Sequence, residues 1–216
     1  MTNGKIASQQ PDSETAITLH LLNAVEENDA VTQRSMAKDM GIALGLANAY
    51  LKRCVRKGLI KVKQAPPNRY SYYLTPKGFG EKSKLTTQYL AGSFRFFRNA
   101  RTQCAKALTR CRAQGWQRVA LAGVSELAEI ATLTARDTDM TLVGIIDATS
   151  RKRSFADLKV GRSLESFHGI DAVIVTDLAK PQATYDALAG KLEDTRILTP
   201  SLLQIIRKKN NERDAK

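Results

Sequence analysis

At Gly58 the chain changes period, and few folds accept what lies on either side of that glycine. Before it, "ALGLANAYLKRCVRK" repeats Ala47, Leu51, Cys54 and Val55 at threes and fours, the spacing of one buried helix face. After it, "LIKVKQ" and "RYSYYL" alternate apolar with polar residues on the two sides of "APPN", which predicts a two-stranded hairpin. Two further helices precede this pair. "DSETAITLHLLNAVEEN" carries Ile17, Leu21, Leu22 and Val25 at helical spacing, and "TQRSMAKDMGI" opens on Thr32 as an N-cap and stops at Gly41. Three helices followed by a basic hairpin describe a winged helix-turn-helix.

Charge agrees with that reading. Of 34 lysines and arginines in the chain, 19 stand among residues 1–114 against 7 acids, while residues 115–216 hold 15 against 14. Between Asp39 and Glu81 there are eight basic residues and no acidic one. A field of that kind suits a polyanion, here double-stranded DNA; the alternative is a solvated basic face. On the third helix Gly45, Asn48, Ala49, Lys52 and Arg56 fall on the outward side. Small residues there permit close approach to a groove, and Asn48 either pairs with adenine or is a solvated amide. Lys52, Arg53 and Arg56 suit phosphates, and Lys61, Lys63 and Arg69 of the hairpin suit the neighbouring backbone or minor groove.

From "TPKGFGEK" to Gly115 the pattern is one or two helices, with Thr75 as cap and Pro76 in the first turn. Leu85, Tyr89, Leu90, Phe94, Phe97, Ala100, Cys104, Leu108 and Cys111 form a long apolar stripe. It is expected to pair with a second copy, giving a homodimer, or else to pack only on the chain's own domains. Beyond it the rhythm changes. "RVALAG", "TLVGIID", "DAVIVTD" and "RILT" are short Val- and Ile-rich runs separated by helical patterns, which predicts a parallel sheet covered by helices. The expected organisation is therefore α/β: an N-terminal winged helix-turn-helix at 12–80, a long linker helix at 81–114, a C-terminal Rossmann-like parallel α/β domain at 115–207 and a basic tail at 208–216. Residues 1–11 read as polar and unstructured.

"ALAGVSELAEIA" stands between a strand and a helix, where a dinucleotide fingerprint belongs. Its spacing puts Gly123, Ser125 and Ala128 at the three glycine positions, so only the first glycine is retained, and Glu126 adds a negative charge. Asp147, 24 residues after Gly123, is either a ribose-binding acid or a turn residue. Gly123, Ser125 and Asp147 are thus the candidate residues for a nucleotide-like effector such as NAD or a nucleotide sugar, at a degenerate loop. His20 and His168 are isolated, and no nucleophile elbow, zinc motif or paired-cysteine spacing occurs, so neither catalysis nor a metal is expected. Cys104 and Cys111 suit packing better than redox chemistry. No apolar run approaches the roughly 18 residues of a membrane span, and the expected location is the cytoplasm.

"TQRSMAKDMGIALGLANAYLKRCVRKGLIKV" followed by "YSYYLTPKGFGEKSKLTTQYL" resembles the MarR-type winged-helix regulators associated with exopolysaccharide synthesis. The similarity covers about residues 15–92. It implies DNA binding and transcriptional control, with surface-polysaccharide genes as targets. The chain departs from that pattern by its second domain and its short "QAPPNR" turn. The order of winged helix then Rossmann-like domain is similar to the redox-sensing Rex repressors, and the second half also resembles nucleotide-binding domains of sugar-modifying enzymes, which implies a sensor or partner domain. An NAD-dependent or nucleotide-sugar enzyme with a basic localisation domain is the alternative.

Overall fold

The computed structural model describes residues 13–65, 69–138 and 140–207. The N-terminal stretch, the prolines of the "APPN" turn, the Arg69 side chain and the basic tail from 208 lie outside the described residues. The chain divides into two compact units, with the division between Phe96 and Phe97.

In the first unit, α1 (Ser13–Glu27), α2 (Gln33–Asp39) and α3 (Leu44–Arg56) precede the hairpin of β1 (Ile60–Ala65) and β2 (Arg69–Leu74). A capping box opens α2: the Thr32 hydroxyl accepts from the Ser35 N–H, and the Ser35 hydroxyl accepts from the Thr32 N–H. Gly58 follows α3 at φ +70°, the left-handed conformation that glycine adopts without strain and that turns the chain into the wing. Leu21, Leu22, Met36, Leu51, Cys54, Ile60, Tyr72 and Leu85 form one core. Burying those apolar side chains is what holds three short helices to a hairpin that is unstable alone.

A single unbroken helix, α4 (Pro76–Ala113), follows the hairpin, and Gly92 does not interrupt it. Its start is fastened to the end of α3. The Thr75 hydroxyl accepts from the Gly78 N–H at 3.0 Å and donates to the Gly58 carbonyl at 2.6 Å. Lys77 donates to the Lys57 carbonyl at 2.9 Å, capping the C-terminus of α3. A Cβ on Gly78 would lie 2.1 Å from the Leu59 carbonyl oxygen, so only glycine allows this approach. "TPKG" is therefore a packing motif, and Lys77, one of the eight basic residues of the acid-free segment, is turned to the protein's own backbone. Because the division between the units falls inside α4, residues 81–114 are shared between them rather than standing apart.

The second unit holds a six-stranded sheet. Its strands are β3 (Val119–Ala122), β4 (Leu142–Ile146), β5 (Ser154–Phe155), β6 (Leu158–Gly161), β7 (Ala172–Val175) and β8 (Ile197–Leu198). They lie in the order β5-β6-β4-β3-β7-β8, parallel throughout except for the β5–β6 pair. The five parallel strands thus run 3-2-1-4-5 in chain order, the doubly wound arrangement whose direction reverses between β3 and β7. α5 (Glu126–Arg136) links β3 to β4, and α6 (Pro181–Ala189) links β7 to β8. β3 and β7 are buried along their whole length, which is why they read as continuous apolar runs.

The β5–β6 hairpin lies outside the four apolar runs that predict the sheet. Its two turn residues, Ala156 at φ 48° and Asp157 at φ 62°, adopt the primed-turn conformation without the Asn-Gly signature that announces it. Among the described residues no α-helix stands between β4 and β7 in the chain, only the 3-10 turn Leu164–Ser166. Instead the Phe167 ring lies over two glycines: a Cβ on Gly144 would come within 2.2 Å of it, and one on Gly161 within 2.8 Å.

Candidate nucleic-acid interface

The outward row of α3 is Gly45, Ala49, Lys52 and Arg56, all exposed, at spacings of four, three and four residues. Its first half is small and its second half cationic. The space around Gly45 is open, since a Cβ there would meet nothing within 4 Å. Packing therefore does not call for glycine at a helical position where it weakens the helix. Leu44 and Leu46 flank this row at 42% and 43% exposure, so the first turn of α3 presents apolar as well as small groups.

Other expected contacts are placed differently. Asn48 is half-buried beside the row, with its Oδ1 buried and unbonded, so its oxygen is turned inward. Arg53 is paired with Glu14 of α1, which occupies its guanidinium within the domain. In the wing, Ile60 and Val62 share the hairpin face opposite Leu74 and Tyr72, while Lys61 and Lys63 stand on the other face with Tyr73 and Ser71. Both lysines are exposed. Between α3 and the wing lies an open groove of about 310 Å³, with Val55, Val62 and Tyr70 in its wall and Lys52 and Arg56 at its border. Gln33, at the start of α2, donates to the Tyr72 hydroxyl at 3.2 Å across this groove.

These elements define a winged helix-turn-helix domain. Residues 14–61, from α1 to the start of β1, match the family model described as winged helix-turn-helix DNA-binding. None of the curated proteins matches the chain. Among solved structures, a MarR-family protein of Mycobacterium tuberculosis in complex with p-aminosalicylic acid is 13% identical, with a TM-score of 0.34, over 37% of this chain and 61% of the other. The transcriptional regulator PcaV of Streptomyces coelicolor, in complex with its natural ligand, is 20% identical with a TM-score of 0.35, over 38% and 59%. MepR, a transcription regulator of the Staphylococcus aureus multidrug efflux pump MepA, is 21% identical with a TM-score of 0.34, over 47% and 78%. The chain thus spans about three-fifths of the length of the first two.

The other candidate position is the edge of the sheet where β3 and β7 end. Ser125 is the N-cap of α5: its hydroxyl accepts from the N–H groups of Leu127 and Ala128 at 3.1 and 3.3 Å and donates to the Thr176 carbonyl. The Val124 N–H donates to Asp147 at 3.0 Å, and the Gly123 N–H to the Ile146 carbonyl at 2.9 Å. Asp147 also accepts from the Thr149 and Ser150 N–H groups and from the Thr149 hydroxyl. Burial raises its pKa, but these hydrogen bonds outweigh burial and hold the carboxyl below its ordinary value. Gly123, at φ +103°, lies against the turn just after β7, where a Cβ would meet the Asp177 Cα at 2.5 Å. An open pocket of about 350 Å³ adjoins the loop, with Glu126, Glu129, Asp177 and Lys152 in its wall. Lys152 sits 4.5 Å from the centre of the Phe155 ring.

Most of the N–H groups that a dinucleotide would use at this loop are already taken. Its pyrophosphate needs free N–H groups at the helix start and close backbone approach. Here the N–H groups of Gly123, Val124, Leu127 and Ala128 all have acceptors within the protein. Three carboxylates against one amine also oppose phosphate charge. Among the described residues no cluster of three or more His, Cys, Asp or Glu could hold a metal ion, and no helix is long and apolar enough to cross a membrane. Cys54, Cys104 and Cys111 are buried free thiols, and burial pushes Cys104 up to about 12 and Cys111 to about 11.

Proposed function

We propose that the protein is a DNA-binding transcriptional regulator of MarR type that acts as a homodimer on a pseudo-palindromic site. The observation that carries this reading is the exposed row Gly45, Ala49, Lys52 and Arg56 on α3, open where a groove must come close and cationic where phosphates lie. Specificity then comes from the first turn, through Gly45, Ala49 and the flanking leucines, with Asn48 contributing only if its amide turns outward. Lys61 and Lys63 supply backbone contacts from the wing. Of the two roles expected of the α/β domain, the occupied loop supports assembly over nucleotide sensing. The resemblance of residues 15–92 makes surface-polysaccharide promoters the first sites to examine.

Selection from a random duplex pool with the full chain tests this reading. The expected product is an enriched motif of two inverted half-sites, bound far more tightly than scrambled duplex. Equal binding to every duplex, or preference for RNA, would refute it.

A further inference from the structure

The first two turns of α3 offer almost nothing that can exchange a hydrogen bond with a base. Ala43, the N-cap, makes no side-chain cap bond, although Ser, Thr, Asp or Asn is what that position favours. Leu44, Gly45, Leu46 and Ala49 follow, all exposed and all without a polar side-chain atom. Asn48 is the exception, and its Oδ1 is buried. Pairing with adenine needs that oxygen together with the amide nitrogen. A cation, the usual reader of guanine, first occurs on this helix at Lys52, about 10 Å beyond Gly45 at 1.5 Å per residue.

Such a surface can still choose between bases. Among the four, thymine is the one that presents a methyl group in the major groove, while the edges of adenine, guanine and cytosine there carry only atoms that need hydrogen-bond partners. An apolar side chain gains by covering the methyl and loses by covering an unpaired donor or acceptor. Leu44 and Leu46 are 42% and 43% exposed. Two residues apart on a helix, they project about 160° from each other, one on either flank of Gly45. No side chain stands between them, and a Cβ on Gly45 would meet nothing within 4 Å. A helix of about 10–12 Å diameter fills a groove of about 12 Å width, so a leucine on each flank faces a different strand. The rise of about 3 Å between the two residues is close to the ~3.4 Å of one base-pair step.

We propose that Leu44 and Leu46 read thymine methyl groups, one on each strand of a half-site and within two base-pair steps of each other, so that the site is recognised by apolar contact rather than by hydrogen bonds to its bases. Lys52 and Arg56, further along the same helix, then hold phosphates without choosing sequence.

This inference rests on the DNA-binding reading of α3, and deoxyuridine separates the two, because it pairs as thymidine does and lacks only the methyl. In a duplex selected by the full chain from the random pool, each thymidine is replaced in turn by deoxyuridine and the affinity of the parent protein is measured. Two sensitive positions are expected in each half-site, one per strand, each about fourfold weaker without its methyl. Replacing all four should weaken binding roughly 200-fold. Leu44→Ala should remove the sensitivity at one position of the half-site and Leu46→Ala at the other, with helix content by circular dichroism as in the parent. The deoxyuridine scan needs only the parent protein, so it decides the matter even where a leucine variant unfolds. Affinity that survives replacement of every thymidine in both half-sites overturns methyl reading and leaves DNA binding standing. Sensitivity that both folded alanine variants retain in full overturns the assignment to these leucines with the same consequence. A pool from which no motif is enriched overturns both the inference and the reading beneath it.

Discussion

Replacing Gly78 by alanine tests how the recognition helix is held. The added methyl would sit 2.1 Å from the Leu59 carbonyl oxygen, a backbone atom, and 3.3 Å from a Leu74 methyl. An ordinary contact requires the start of α4 to retreat by more than 1 Å from the turn after α3. The same turn carries the Thr75 N–H bond to the Leu59 carbonyl, the Thr75 hydroxyl bond to Gly58 and the Lys77 bond to Lys57. Overpacking costs about 1–3 kcal/mol, and weakening the two Thr75 bonds, which tether this turn to α4, adds about 1 kcal/mol each. Alanine's helix preference returns less than about 1 kcal/mol, leaving a net loss of about 3 kcal/mol. For a unit of this size that lowers the melting temperature by roughly 12–24 °C. Gly80, two residues on in the same helix, has open space around it, so Gly80→Ala should raise the melting temperature by a few degrees. Five of the six tyrosines lie in the first unit and the single tryptophan, Trp116, in the second. Tyrosine fluorescence should therefore move while the tryptophan transition stays put. Equal melting of the two alanine variants would refute the reasoning.

The remaining predictions concern the surfaces and the sheet edge. Gly45→Ala should gain about 0.5 kcal/mol in thermal melts, whereas Gly45→Gln should keep the fold and lose at least about tenfold in duplex affinity; an unaffected Gly45→Gln would show that the first turn of α3 stays out of the groove. The Arg118 N–H holds the Asp171 carboxyl below its ordinary value, outweighing burial with help from Gln117. Its contribution to stability is present above the unfolded pKa of about 3.9 and is lost as pH falls toward the folded value. Asp171→Asn should accordingly melt below the parent at neutral pH, by a gap in Trp116 fluorescence that narrows as pH falls below about 3.9; a gap independent of pH contradicts this. Millimolar NAD(H) or nucleoside diphosphate sugars should leave the melting temperature unchanged, and a shift of several degrees would overturn the reading of the Ser125 loop.

Much of this architecture is legible in the sequence because each signal is local. Gly58 separates two periodicities, Thr32 caps a helix, and β3 and β7 are apolar throughout because both faces are covered. What sequence misses depends on contacts across the chain. Lys77 counts as one more positive charge until its ammonium is found on the Lys57 carbonyl. Arg53 reads as a phosphate contact, and its pairing with Glu14 of α1 comes only from the fold. Ser125 and Asp147 occupy the positions of a nucleotide site, and only the fold shows that each is bonded to the loop it was expected to serve. The fate of the α4 stripe is likewise invisible in its periodicity, since buried and exposed segments share one spacing.

The central claim, that the outward row of α3 binds DNA, is tested most directly by salt titration of duplex affinity for the parent and for Lys52→Ala with Arg56→Ala. Each phosphate contact contributes about 0.9 to the slope of log K against log salt concentration. The double variant should bind more weakly at every salt concentration, with a slope shallower by about 1.8. A parallel line at unchanged affinity would contradict the assignment of α3 as the recognition helix.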